Sequence, residues 1–261
     1  MKFQRPRSKL QAPCWRAVTT TTVGVWTLVF LWSLMFGSWS FAPAVDSTNA
    51  LKPFTPSTKY ATTRVVGWTV RVNRELLTTQ SELGSNALAL LAVKLRDITN
   101  TVPARGCEAL KRVPIWLGVN DGHAPCAEYH PSKDWLAKNG YNPDKAKGVE
   151  IGNARKFLDW SPKQPAMILH ELAHAYHDQV LGFSDRRIRQ AYEHAKADGR
   201  YDAVARNNGK KERAYALTDD HEYFAEATEA FFGTNDFYPF TRADLKQHDP
   251  EIFGILEEVW Q

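Results

Sequence analysis

His170-Glu171-Leu172-Ala173-His174 sets two imidazoles four residues apart with a carboxylate between them. On a helix, such positions lie one turn apart on one face, so both rings can meet one zinc ion. Glu171 would project beside that ion. There a carboxylate can take a proton from an attacking water and return it to a leaving amine. Met167-Ile168-Leu169 precede the pattern and supply the apolar start of a buried helix. An ordinary core helix that happens to carry histidines is the plainer alternative. The Glu at this spacing argues against it.

A catalytic zinc needs a third protein ligand and one open position. The extended pattern H-x-x-G-x-x-H fails twice, because His177 stands at its Gly position and Val180 at its last His position. A carboxylate from a later helix is the other solution. Glu222 and Glu226, one turn apart in His221-Glu222-Tyr223-Phe224-Ala225-Glu226, fit it. Glu222 would bind zinc and Glu226 would accept a hydrogen bond from a ligating imidazole, fixing its tautomer. The same residues also read as a solvated acidic stripe at 222, 226 and 229, or as a capping box Asp219-x-x-Glu222. Asp178, four residues after His174, is a further candidate beside the ligands. His177 reads as a packed histidine. His123, His130, His194 and His248 show no ligand spacing.

The run from Tyr215 to Glu226, YALTDDHEYFAE, resembles a stretch of the anthrax lethal factor-type gluzincins. These zinc metallopeptidases carry H-E-x-x-H and, further along, a Tyr, six residues and E-[FY]-F-A-E. The resemblance spans roughly residues 165–235. It implies one zinc per chain on His170, His174 and Glu222, with Glu226 as the outer acid. It also implies Tyr215 as a hydroxyl donor to the reaction's oxyanion, and a peptide or protein as substrate. Nothing in the chain points to the delivery domains of lethal factor or to its target.

Several elements must position these groups. Gly67–Val72, Val113–Val119 and Gly148–Gly152 read as strands, and Ser85–Thr99 as a helix with apolar positions 88, 91, 95 and 98 on one face. A helix starts at Ser161-Pro162 or Gln164-Pro165 and runs to Leu181, where Gly182 stops it. Arg186–Ala197, Asp219–Phe232 and a last helix opened by Asp249-Pro250 follow. Strands early and helices late predict an α+β, zincin-like domain: a small mixed sheet packed on the H-E-x-x-H helix, with a helical C-terminal half. The Gly-flanked third strand reads as an edge. A substrate peptide would then pair with Val149, Glu150, Ile151, Gly152 and Asn153.

Among the 261 residues, 43% are apolar and 24% charged, which excludes disordered and fibrous classes. The net charge of +4 arises near the N-terminus, where residues 1–44 hold Lys2, Arg5, Arg7, Lys9 and Arg16 and none of the 29 acids. No basic patch remains for nucleic acid, so no nucleic-acid partner is expected. The apolar run Val23–Phe36 after these bases reads as a signal peptide cleaved after Ala42-Pro43-Ala44, or as a membrane anchor if the chain stays uncut. Either reading exports the protein, and membrane contact is expected only through this segment. Residues 45–64, rich in Ser, Thr and Pro, read as a linker before a domain over 65–261. In an oxidising compartment Cys107 and Cys126 would form one disulfide; the alternative is two free buried thiols. The sequence thus points to an exported zinc metallopeptidase. Its rivals are an anchored zinc-binding module without turnover and a zinc hydrolase of non-peptide amides.

Overall fold

The computed structural model describes residues 54–121 and 126–261. The segment expected to direct export and His123 lie outside the described residues. Among the described residues, no helix is long and apolar enough to cross a membrane.

β1 (Tyr60–Val65) and β2 (Trp68–Asn73) form a hairpin through Val66 and Gly67, whose φ angles of 50° and 92° close the two-residue turn. β1 lies almost wholly inside the stretch expected to be linker, so the fold begins before residue 65. The Thr and Ser content suggested a linker, but β-branched Thr also suits a half-exposed edge strand. α1 (Ser81–Thr101) buries Ala87, Leu91, Leu95 and Ile98 along one face, with Leu88 at its margin. Then come α2 (Ala104–Leu110), β3 (Ile115–Leu117), β4 (Ala127–Tyr129), α3 (Lys133–Lys138), β5 (Val149–Ile151) and α4 (Ala154–Trp160).

The five strands make one mixed sheet in the order β1-β2-β3-β5-β4. β2, β3 and β5 run parallel, while β1 and β4 close the two edges antiparallel. Strand alternation sorts the side chains. The rows Val70–Ile115–Val149–Tyr129 and Val72–Leu117–Ile151–Ala127 are buried toward the helices, whereas Arg71–Trp116–Glu150–Glu128 crosses the opposite face. β5 is therefore an inner strand, and the expectation that Val149, Glu150, Ile151, Gly152 and Asn153 form an open edge is corrected. Both flanks of β5 are paired, the Gly152 N–H bonds the Cys126 carbonyl, and the Asn153 side chain caps α4 through the Lys156 N–H. Flanking glycines mark turns as readily as edges, and three residues are too few to separate the two.

α5 (Met167–Tyr176) begins later than expected, because α4 occupies the preceding residues and a turn fills 161–166. Nearly every residue of α5 is buried. It runs on as one π turn, His177–Leu181, and stops at Gly182 with φ 83°. After α6 (Arg186–Ala197) and the small pair β6 (Val204–Ala205) and β7 (Lys211–Glu212), α7 (Asp220–Phe232) packs along α5. The Asp219 carboxylate accepts from the His221 and Glu222 N–H groups and caps α7, but the expected capping box is only half formed, because the Glu222 carboxylate turns to His170, His174 and Tyr215 instead of the Asp219 N–H. α8 (Arg242–His248), opened by a Thr241/Asp244 capping box, and α9 (Pro250–Val259) cover the outside of α7. The fold is mixed α+β, with a helical C-terminal half. Phe231, near the end of α7, and Phe237, after it, are core residues.

Cys107 and Cys126 are both free and buried, which overturns the expected disulfide. Cys107 packs inside α2, and the Cys126 thiol faces Met167 Sδ at 3.4 Å. Each thiol behaves as a small core hydrophobe. Alkylation of denatured, unreduced protein is expected to label both residues, as read by peptide mass mapping. A peptide joined through Cys107 and Cys126 would contradict this packing.

Candidate metal centre

α5 and α7 bring three donor atoms into one triangle. His170 Nε2 and His174 Nε2 stand 3.1 Å apart, and Glu222 Oε2 lies 3.0 Å from the first and 3.2 Å from the second. A tetrahedral zinc with bonds of ~2.0–2.1 Å separates its ligand atoms by about 3.3 Å, so the triangle fits with a slight opening. The chemistry of the donors fits as well. The second nitrogen of His170, Nδ1, is 2.6 Å from Glu229 Oε1. If that nitrogen carries the proton, Nε2 presents a lone pair toward another imidazole and a carboxylate. Acceptors converge so closely only around a cation or a proton. The sequence-expected group His170, His174 and Glu222 is thus assembled, with His170 and Glu222 buried and 12% of the His174 side chain exposed.

The charges around the triangle follow from burial and from each other. Burial opposes charge on His170, but the carboxylates of Glu222 and Glu229 outweigh it and hold the imidazolium well above its usual range. Burial also opposes ionisation of Glu222, and the two histidines reverse this, keeping it an anion. His174 is pulled down by burial, against the attraction of Glu222. A divalent ion at the triangle would take the place of the His170 proton beside the Glu222 anion, so its binding would release that proton.

The outer partner differs from the one expected. Glu229, not Glu226, meets His170 Nδ1; Glu226 Oε1 stays 3.8 Å away. Glu226 and Glu229 lie together in the protein interior, and Asp236 joins them, tied to Arg206 at 3.2 Å. Burial and mutual repulsion raise the Glu226 carboxyl well above its normal range. The sequence had offered position 229 only as part of an acidic stripe. Its third member, two turns beyond Glu222, points at the imidazole.

Glu171 is buried one residue from His170, and its Oε2 accepts the Tyr129 N–H of β4 at 2.7 Å. Burial pushes its carboxyl up to about 8, against the pull of His170, so a group that titrates near neutrality stands close enough to His170 and Glu222 to feel their charges. Tyr215, on the 3₁₀ turn Tyr215–Leu217, donates its hydroxyl to Glu222 Oε1 at 3.0 Å, with its ring 6.5 Å from that of His170. Asp178 does not touch either imidazole, which corrects its expected place. It accepts the Tyr129 hydroxyl at 2.6 Å and pairs with Lys147, because the π turn after Tyr176 rotates it toward β4. Tyr129 itself went unrecognised, since a three-residue strand gives no periodic signal.

His177 is fully buried among Phe183, Phe224 and His221, and neither ring nitrogen has a hydrogen-bond partner. Burial lowers its pKa to about 3, helped by His221 and His174. The folded protein thus refuses a proton that the unfolded chain accepts. Stability is full above the unfolded value near 6.5 and erodes as pH falls toward 3. In chelator, wild-type protein is expected to lose roughly 2–3 kcal/mol more than His177→Leu between about pH 7.5 and 4.5. Urea unfolding at the two pH values measures this. Equal losses would contradict the neutral, unpartnered state of His177.

In comparisons with known proteins, no family model matches the chain, and no curated protein and no solved structure matches it.

Proposed function

We propose that the protein is a zinc-dependent metallopeptidase of gluzincin type, built on a zincin-like domain. The observation that carries this reading is the triangle of His170 Nε2, His174 Nε2 and Glu222 Oε2, with sides of 3.0–3.2 Å and the Glu171 carboxylate next to it. When bound, zinc supplies a Lewis acid for the scissile carbonyl and lowers the pKa of a water toward ~7. Glu171 accepts one proton from the attacking water and delivers it to the amine nitrogen as the C–N bond breaks. Glu229 holds the His170 ring in one tautomer and orientation.

The strand beside the site is β4. Cys126 and His130 direct main-chain groups at β5, so Ala127 and Tyr129 direct theirs away from it, and the Tyr129 N–H meets Glu171. A peptide laid along that edge would gain main-chain hydrogen bonds and bring a peptide bond to Glu171. This supports a peptide as substrate over an isolated amide. Export now rests on residues 1–44 alone, because the cysteines no longer argue for an oxidising compartment. Cleavage and anchoring of that segment remain alternatives.

Tyr215 is the donor proposed for the oxyanion, since a phenol is neutral at pH 7 and donates without competing for metal. Tyr215→Phe is expected to keep zinc and lower kcat by roughly 10–10³-fold. Zinc content and kcat on one preparation decide it. Unchanged kcat would remove Tyr215 from the reaction, and lost zinc would confine its hydroxyl to holding Glu222.

The reading as a whole is tested by digestion of a peptide library with and without chelator. Chelator-sensitive cleavage is expected. Zinc binding with no cleavage would favour a module without turnover, and hydrolysis of small amides alone would favour a non-peptide hydrolase.

A further inference from the structure

β4 is three residues long, and such a short edge strand has few ladder hydrogen bonds with which to fix its own register. Its register nonetheless matters. A slip of one residue would turn the Tyr129 N–H away from Glu171 and swing Glu128 or His130 into the apolar layer under the helices.

The far face of the sheet carries a buried charged group that opposes such a slip. Glu150 on β5 and Glu128 on β4 stand directly opposite each other, an arrangement that repels unless compensated. Lys145, 1% exposed, reaches this row from the 3₁₀ turn Pro143–Lys145. Its Nζ contacts Glu150 Oε1 and lies 2.7 Å from Asp121 Oδ2. The second oxygen of Glu150 is 2.8 Å from Nε2 of His130, the residue after Tyr129. Glu150 thus grips a fixed cation with one oxygen and β4 with the other. A buried ionic group contributes little net stability, and fixing one register among several is its best attested use.

We propose that the Lys145–Glu150–His130 group locks the register of β4 and so positions Glu171 through the Tyr129 N–H. Its effect on turnover rests on the peptidase reading; its effect on the strand does not. Lys145, Glu150 and His130 are positioning residues that touch no substrate.

Three variants of the full chain test the lock. Glu150→Leu leaves Lys145 paired with Asp121, so no cation is stranded. His130→Phe keeps an aromatic ring against Tyr141 and removes only the polar contact. Glu150→Gln can preserve both contacts without the carboxylate charge, its amide oxygen accepting from the Lys145 ammonium and its NH₂ donating to His130 Nε2. The readouts are backbone amide exchange by NMR, zinc content and kcat. In the first two variants, protection at Tyr129 is expected to fall at least ~10-fold while α5 and α7 amides keep theirs. Turnover is expected to fall roughly 10–100-fold with zinc retained. Glu150→Gln is expected to restore both to within about 3-fold of wild type. Unchanged protection at Tyr129 in Glu150→Leu and His130→Phe would overturn the lock, as would an equal loss spread over α5 and α7. If wild-type protein cleaves no peptide, the proposed function fails and the exchange comparison alone decides the lock.

Discussion

Glu171→Gln is expected to keep the fold and the zinc and to lose turnover by at least ~10²–10⁴-fold, the range typical of a missing general base. Gln has nearly the same shape, and its amide oxygen can still accept the Tyr129 N–H that Glu171 Oε2 accepts at 2.7 Å. What disappears is the capacity to take a proton. Burial pushes the Glu171 carboxyl up to about 8, so the wild-type group exchanges a proton near neutrality, and a cation bound at the triangle would favour its anion. The amide does not titrate there. The comparison is kcat with zinc stoichiometry measured on the same sample. A Gln variant that turns over at the wild-type rate would remove Glu171 from the chemistry, and with it the hydrolytic mechanism.

The second large effect concerns metal retention, and it separates an inner ligand from an outer partner. Glu222 Oε2 forms two sides of the donor triangle, so Glu222→Ala leaves two imidazoles on one helix to hold the ion. Glu229 touches only the far nitrogen of His170. Glu229→Ala is therefore expected to weaken zinc by ~10–100-fold, and Glu222→Ala by more than that. Glu226→Ala, at 3.8 Å from His170 Nδ1, is expected to cost less than Glu229→Ala. Competition with a calibrated chelator gives the three affinities. If Glu222→Ala binds zinc as well as wild type, the third ligand lies elsewhere. If Glu226→Ala costs more than Glu229→Ala, the outer partner is the one the sequence suggested.

The grouping of His170, His174 and Glu222 was legible because helical periodicity is rigid. One turn of α5 fixes His170 and His174 on one face, and the cap at Asp219 fixes where α7 begins, which puts Glu222 in its first turn. The choice between Glu226 and Glu229 was not legible, since it depends on how two helices cross and not on the spacing within either. The edge strand was misplaced for a related reason. Strand order comes from long-range pairing, and three-residue strands such as Ala127–Tyr129 and Val149–Ile151 look alike in isolation. β1 was hidden by Thr-rich composition that suits a linker and an exposed strand equally. The disulfide was inferred from a compartment and a count, and both thiols instead found apolar neighbours in the core.

His170, His174 and Glu222 are proposed to hold one zinc on which hydrolysis depends. Metal analysis of the purified full chain, paired with peptide cleavage before chelation, after it and after zinc is returned, tests this most directly. One zinc per chain is expected in the wild type, with cleavage abolished by chelator and restored by zinc, and neither metal nor cleavage in the His170→Ala/His174→Ala double variant. Cleavage that survives removal of all metal, or full zinc content in the double variant, would contradict it.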